Sequence, residues 1–208
     1  AYHQCRTLWG EQELPSRIHW TSIDAFCDQI LSTQRIDCRL RYNDWVRQKR
    51  QITRSYLEQF QQAEKEILIC CSYFLPGPLL RQKLAQALKR NVRVRVILTG
   101  ISDVPFAKSA ERYLYRWMLN RGIEIYEYQS NVLHAKVSTI DDRWTTIGSY
   151  NLNEVSALAS LEANLDVRDR DFAISTRLLL DQIIQKDCRS IKLEEIKHRY
   201  GFFSRMGQ

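Results

Sequence analysis

The stretch Val132–Asn151, VLHAKVSTIDDRWTTIGSYN, sets two runs rich in β-branched residues on either side of a polar turn at Asp141-Asp142-Arg143. That pattern predicts a β-hairpin. Alternate residues of a strand share a face, so His134, Lys136 and Ser138 project to one side while Ala135, Val137 and Thr139 pack on the other. In the second arm Ser149 and Asn151 again share a face. The hairpin can therefore gather all five polar groups on one surface. Threonines and glutamates would suffice if that surface merely met water. This set suits a phosphate ester instead. Lys136 offers a point charge to non-bridging oxygens, Ser149 and Asn151 add neutral donors, and His134 can attack phosphorus or move a proton near neutral pH. No carboxylate pair for magnesium accompanies them, so the expectation is no metal and no cofactor.

A working histidine needs a third group to fix its tautomer. Glu162 is the candidate, on the polar side of a strand, Leu161–Arg168, whose Leu161, Ala163, Leu165 and Val167 are predicted to face the core. The remaining elements follow from periodicity. A helix from Arg47 buries Ile52, Tyr56, Phe60 and Ala63. Glu66–Tyr73 reads as a buried strand, and a helix after Pro76-Gly77-Pro78 buries Leu80, Leu84, Ala87 and Leu88. Val92–Leu98 alternates as a strand, with Arg93 and Arg95 on an exposed face. The next helix is predicted to bury Phe106, Ala110, Tyr113, Leu114, Trp117 and Met118 and to stop at Gly122. Ile123–Tyr128 is a further strand, and a helix over 171–186 carries Leu179, Leu180, Ile183 and Ile184. Cys38–Tyr42 alternates like a strand, Ser22–Leu31 fits a short helix, and a helix is expected from Ile191 to Tyr200. The order predicts an α/β fold: a mixed, mostly parallel β-sheet flanked by helices on both faces. The expected division is a linker or remnant over 1–45, a domain over 46–190, and a helix and tail over 191–208. With no GxGxxG and no Walker loop, the sheet is not arranged for a dinucleotide or a nucleoside triphosphate.

Composition narrows the class. At 44% hydrophobic and 26% charged residues the chain is globular, not low-complexity. Its longest apolar candidate, Ile67–Leu80, is broken by Pro76-Gly77-Pro78 and falls short of a membrane span. A net charge of +7 and a pI of about 9.2 favour a polyanionic partner, for which nucleic acid and an anionic bilayer both qualify. The six cysteines fit no zinc spacing and read as reduced thiols of a cytosolic compartment. Cys70 and Cys71, adjacent in a strand, should point to opposite faces. Arg47, Lys49 and Arg50 read as a solvated helix start that, with the apolar and basic Gly201–Arg205, could also meet a membrane surface.

The spacing His134-x-Lys136-x4-Asp141-x6-Gly148-Ser149-x-Asn151 matches the HxKx4Dx6GSxN (HKD) motif, and the chain is identified by it as resembling the phospholipase D superfamily. Ser72–Pro76, Gly100–Asp103, Glu124–Tyr128 and Leu161–Asn164 extend the likeness to bacterial cardiolipin synthases and related proteins over roughly residues 38 to 190. Ser160 departs from the pattern, since many relatives have Asn there. The resemblance implies a phosphodiester-cleaving phosphatidyltransferase working through a phosphohistidine. His134, Lys136 and Glu162 would be catalytic, Lys136, Ser149 and Asn151 would bind phosphate, and Asp141 and Gly148 would be structural. It implies a phospholipid substrate and a cytoplasmic location, peripheral at the inner membrane. It also implies two facing motifs, of which this chain holds one. The second would come from a preceding half, which the helix-like start, the absent initiator Met and the cardiolipin synthase likeness favour, or from a second chain. In two-motif relatives the first histidine is the usual nucleophile, which makes His134 the acid/base. The alternative activity is an HKD-type nuclease acting as a homodimer on nucleic acid.

Overall fold

The structure, a computed structural model, describes residues 36–47, 49–102 and 104–196. The helix expected at Ser22–Leu31, Cys5, Cys27 and the segment Gly201–Arg205 lie outside the described residues. Among the described residues nine strands form one sheet: β1 (Asp37–Asp44), β2 (Lys49–Arg50), β3 (Glu66–Cys71), β4 (Arg93–Ile101), β5 (Glu124–Val132), β6 (Lys136–Ile140), β7 (Trp144–Gly148), β8 (Glu162–Arg168) and β9 (Cys188–Ile191). Five helices join them: α1 (Gln51–Gln62), α2 (Pro78–Lys89), α3 (Pro105–Leu119), α4 (Glu154–Leu158) and α5 (Arg170–Asp187). The strand order is β2-β1-β8-β7-β6-β3-β4-β5-β9.

The sheet is mixed, as expected, but the parallel share is smaller than the sequence suggested. Among the described residues β3–β4 and β4–β5 are the parallel pairs. The pairs β1–β2, β1–β8, β3–β6, β5–β9, β6–β7 and β7–β8 are antiparallel. Helical crossovers make the β3-α2-β4-α3-β5 run parallel, whereas tight turns and edge returns reverse every other connection. The sheet also reaches beyond a boundary at residue 45, since β1 pairs with β8 from Asp37↔Arg168 to Asn43↔Glu162. At the other edge β9 lies where a tail helix was expected to follow directly, and a helical turn at 193–196 comes after it.

Helices cover both faces. On one, α1, α2 and α3 enclose Ile52, Tyr56, Phe60, Ile67, Ile69, Leu84, Val94, Val96 and Trp144. On the other, α5 brings Leu180 onto Leu68, Ile97 and Val137. Cys71 belongs to the first core and Cys70 to the second, the alternation expected of strand neighbours.

Two expected surfaces differ in part: on α3, Met118 is buried and Leu114 and Trp117 pack against the core as expected, but the aromatic residues nearer its start do not. Helix α3 buries Lys108, Glu111, Tyr115 and Met118, while Phe106 and Tyr113 are exposed. Arg95 is buried, not exposed, with Glu66 at 2.8 Å and Asp181 of α5 at 2.5 Å. Arg93 is the exposed member of the pair and grips Glu124 at 2.6 and 2.8 Å. No helix among the described residues is long and apolar enough to cross a membrane.

Candidate active site at the carboxyl end of β3

His134 is exposed and sits just ahead of β6, in a segment without strand pairing. Two residues on, Lys136 opens β6 opposite Cys71, the last residue of β3. Lys136 is only 6% exposed, and its Nζ donates to the Ser72 hydroxyl at 3.2 Å. Low solvent access strengthens the pull of that ammonium on any anion reaching it. Ser72 is itself anchored, since its N–H and hydroxyl donate to the Ala135 carbonyl at 3.1 and 3.3 Å.

The segment after β3 is pinned residue by residue. Phe74 N–H donates to Glu111 Oε2 at 3.0 Å and Leu75 N–H to the Leu152 carbonyl at 2.9 Å. Glu111 belongs to a buried charge cluster in which Lys108 Nζ lies 2.7 Å from Glu111 and 3.1 Å from Glu127. Tyr115 receives a hydrogen bond from Lys108 and donates to Glu127 at 2.9 Å. Burial pushes the Glu111 carboxyl above its ordinary range despite Lys108 and the Phe74 amide. Burial acts in the same sense on Glu127, but Lys108 and Tyr115 outweigh it and hold that carboxyl below its ordinary range.

Asn151 meets β3 through a thiol. Cys71 Sγ–H donates to the Tyr73 carbonyl at 3.4 Å and to Asn151 Oδ1 at 3.7 Å, and Sγ accepts from Leu152 N–H at 3.5 Å. Burial pushes the Cys71 thiol up to about 11, so it stays a donor near neutral pH. The one thiol hydrogen is shared between the two acceptors, so Cys71 tethers Asn151 to the end of β3. Neither Cys71 nor Ser72 was picked out from sequence. The available signal was the Ser72–Pro76 likeness at a strand's carboxyl end, where sites in α/β sheets collect.

Ser149 and Glu162 meet across β7 and β8. The Ser149 hydroxyl donates to Glu162 Oε2 and accepts from Ala163 N–H at 3.1 Å, and Ser149 N–H donates to the Ala163 carbonyl at 3.0 Å. Gly148 explains how the strands come so close. A Cβ there would lie 2.2 Å from the Ala163 carbonyl oxygen and 2.3 Å from Asn164 Oδ1. Ser138 does not join the group. It is fully buried beneath α1, with its hydroxyl 3.1 Å from the Tyr56 hydroxyl. Leu161, expected in the core, is 69% exposed.

Asp141 stands at the far end of β6 from Lys136. Its carboxylate accepts from the N–H groups of Glu64, Lys65 and Glu66, each at 2.8 Å, and pairs with Arg143 at 3.1 Å. Asp141 and Asp142 both have positive φ, 53° and 52°, and Arg143 N–H closes the turn onto the Ile140 carbonyl at 3.1 Å. These are the marks of a type I′ hairpin turn, where aspartate is tolerated. Asp141 thus ties the hairpin tip to the entry of β3 and lies apart from the histidine.

Comparison with known proteins identifies the family and the fold. The family described as cardiolipin synthase, PLD-like domain matches residues 56–184. Cardiolipin synthase B of Salmonella typhi is 40% identical over 140 residues, which are 67% of this chain and 34% of that protein. The chain thus spans about a third of the length of such relatives. In fold it is similar to Nuc of Salmonella typhimurium, a phospholipase D family member, with a TM-score of 0.63 at 19% identity, covering 76% of this chain and 99% of that one. Phosphatidylserine synthase of Haemophilus influenzae gives 0.60 at 17% identity, covering 83% and 46%.

Proposed function

Because the chain belongs to the PLD-like domain family of cardiolipin synthases, we propose that it forms one half of a phospholipase D-type phosphatidyltransferase acting on anionic phospholipid. The single observation that carries this reading is the buried Lys136 ammonium, set at the open end of β6 two residues from an exposed histidine.

Lys136, Ser149 and Asn151 take the non-bridging oxygens of a phosphodiester, and His134 works at the reacting bonds. In the first step one imidazole nitrogen bonds to phosphorus while the bond to the leaving alcohol's oxygen breaks. The departing oxygen takes a proton from the second imidazole. In the second step the acceptor hydroxyl gives its proton to that imidazole, its oxygen bonds to phosphorus, and the phosphorus–nitrogen bond breaks. His134 is the proton-transfer partner, and the attacking histidine comes from a second HKD motif. Glu162 steadies Ser149 and, in this reading, is the carboxylate that orients the working imidazole. A phosphatidyl donor such as phosphatidylglycerol would lose glycerol, and a second lipid hydroxyl would accept.

The test is His134→Ala in the full chain, assayed for phosphatidyl transfer between phosphatidylglycerol molecules. Since His134 is exposed, the change should leave stability within about 0.5 kcal/mol while turnover falls by at least ~10³-fold. A stable variant that keeps wild-type transfer would remove His134 from the chemistry. Cleavage of an oligonucleotide that depends on His134, without lipid transfer, would favour the nuclease.

A further inference from the structure

The β1–β2 hairpin projects beside the candidate site, because Asn43 of β1 pairs with Glu162 and the chain turns back immediately afterwards. Its tip is held in shape. The Asp44 carboxylate accepts from the N–H groups of Val46 at 2.9 Å and Arg47 at 3.1 Å, which turns Trp45 and Val46 outward at 57% and 67% exposure. Arg47, Lys49 and Arg50 flank them and are exposed as well.

Two neighbouring segments carry exposed apolar side chains of their own. Helix α4, which packs beside β1, leaves Val155 and Leu158 exposed, and Leu161 is exposed where the chain enters β8. Large apolar side chains in water normally occur singly, so a cluster drawn from three adjacent segments needs a function. Ser149 and Glu162 lie beside it.

We infer that this surface, led by Trp45 and Val46 and ringed by Arg47, Lys49 and Arg50, docks on an anionic phospholipid bilayer and brings the site to the headgroups. The inference rests on the phospholipid reading above and adds the surface that reaches the lipid. Charge selects the occupant. Three cations around an exposed aromatic complement the negative surface potential of an anionic bilayer, with the aromatic at the interface and the cations among the headgroups. The Asp44 carboxylate, held by the amides of the tip and 4.0 Å from the Arg47 guanidinium, offsets one of the three cations and leaves the other two charges in excess. Trp45 belongs at the interfacial depth, where an amphipathic ring meets both acyl chain and headgroup.

The experiment compares the full chain with Trp45→Ser/Val46→Ser and with Arg47→Gln/Lys49→Gln/Arg50→Gln. Co-sedimentation with phosphatidylglycerol and with phosphatidylcholine vesicles over a salt series reads docking. Turnover of a short-chain diester below its micelle concentration reads the site. The apolar pair should bind phosphatidylglycerol vesicles about tenfold more weakly even at high salt. The cation triple should lose most of the preference for phosphatidylglycerol over phosphatidylcholine. Both should keep the parent's turnover of the dispersed diester, its unfolding temperature and its solution mass. Undiminished vesicle binding by the apolar pair overturns the inference. So does a drop in solution mass, which would make this face a protein interface, or a loss confined to oligonucleotide binding. A parent that docks through Trp45 yet turns over no diester would refute the catalytic reading while leaving the docking surface in place.

Discussion

Asn151 can offer its amide nitrogen to a phosphate when Oδ1 is engaged elsewhere, and Cys71 can engage Oδ1 by donating to it. The thiol must keep its proton to do so. Burial sets it at about 11 against an ordinary 9.0, so turnover should show no Cys71-dependent change between pH 7 and 9. A titration in that interval that disappears in Cys71→Ser would contradict this. Replacing Cys71 by Ala should lower kcat/KM by about three- to tenfold, mainly through KM, and Cys71→Ser should recover most of the loss. Linkage gives a second readout. Because the folded thiol titrates above the unfolded one, its contribution to stability is full below about 9 and is lost as pH rises through about 11. Glu162→Gln should instead lower kcat by about ten- to a hundredfold with little change in KM, since Glu162 positions groups without holding the phosphate. An unchanged kcat would reduce Glu162 to a surface residue. The motif residues themselves were legible in sequence because their spacing is local and fixed. Their supports were not, since Ser72 and Ala135 are 63 positions apart and Cys71 and Asn151 are 80 apart.

Helix α3 shows why periodicity locates an element more readily than it orients one. Its aromatic residues suggested a buried face through Phe106 and Tyr113, yet Lys108 and Glu111 are the buried ones. These charges can enter the core because they neutralise each other and because Glu127, on β5, completes the set. No hydrophobicity pattern along α3 can announce a partner on another strand. Arg95 was misplaced for the same reason, as its partners lie on β3 and α5. Where burial is apolar, as along α1 at Ile52, Tyr56 and Phe60, the sequence pattern and the structure agree. The charge cluster therefore makes a sharp stability prediction. Glu111→Ala leaves Lys108 with less compensation and frees the Phe74 amide, and should cost roughly 3–5 kcal/mol by denaturant unfolding. Adding Lys108→Met should restore a good part of that; a strictly additive double variant would show that the pair is not coupled. At the other end of the sheet, Asp141→Ala removes three amide contacts and places alanine at positive φ. It should cost about 2–4 kcal/mol. Catalysis measured well below the new melting temperature should be nearly unaffected, because Asp141 holds the fold and does not touch the site. A large kcat loss in a still-folded Asp141→Ala protein would refute that division of labour.

At the scale of the whole molecule, one HKD motif supplies one imidazole, whereas the proposed exchange needs one to attack and another to move the proton. The catalytic unit must therefore contain two such folds. Two assemblies can supply them: both motifs in one polypeptide, or one motif from each of two copies. If both motifs belong to one polypeptide, two kinetic outcomes follow. Specific activity should stay constant over about a thousandfold dilution, since no association equilibrium limits the site. A tenfold excess of His134→Ala chains should leave wild-type turnover unchanged, because they have no subunit to replace. If the site is instead shared between two copies, activity per mole will fall on dilution past the dissociation constant. The inactive chains will then suppress the active ones in proportion to the mixed pairs formed, and the measured extent of that suppression distinguishes the two assemblies.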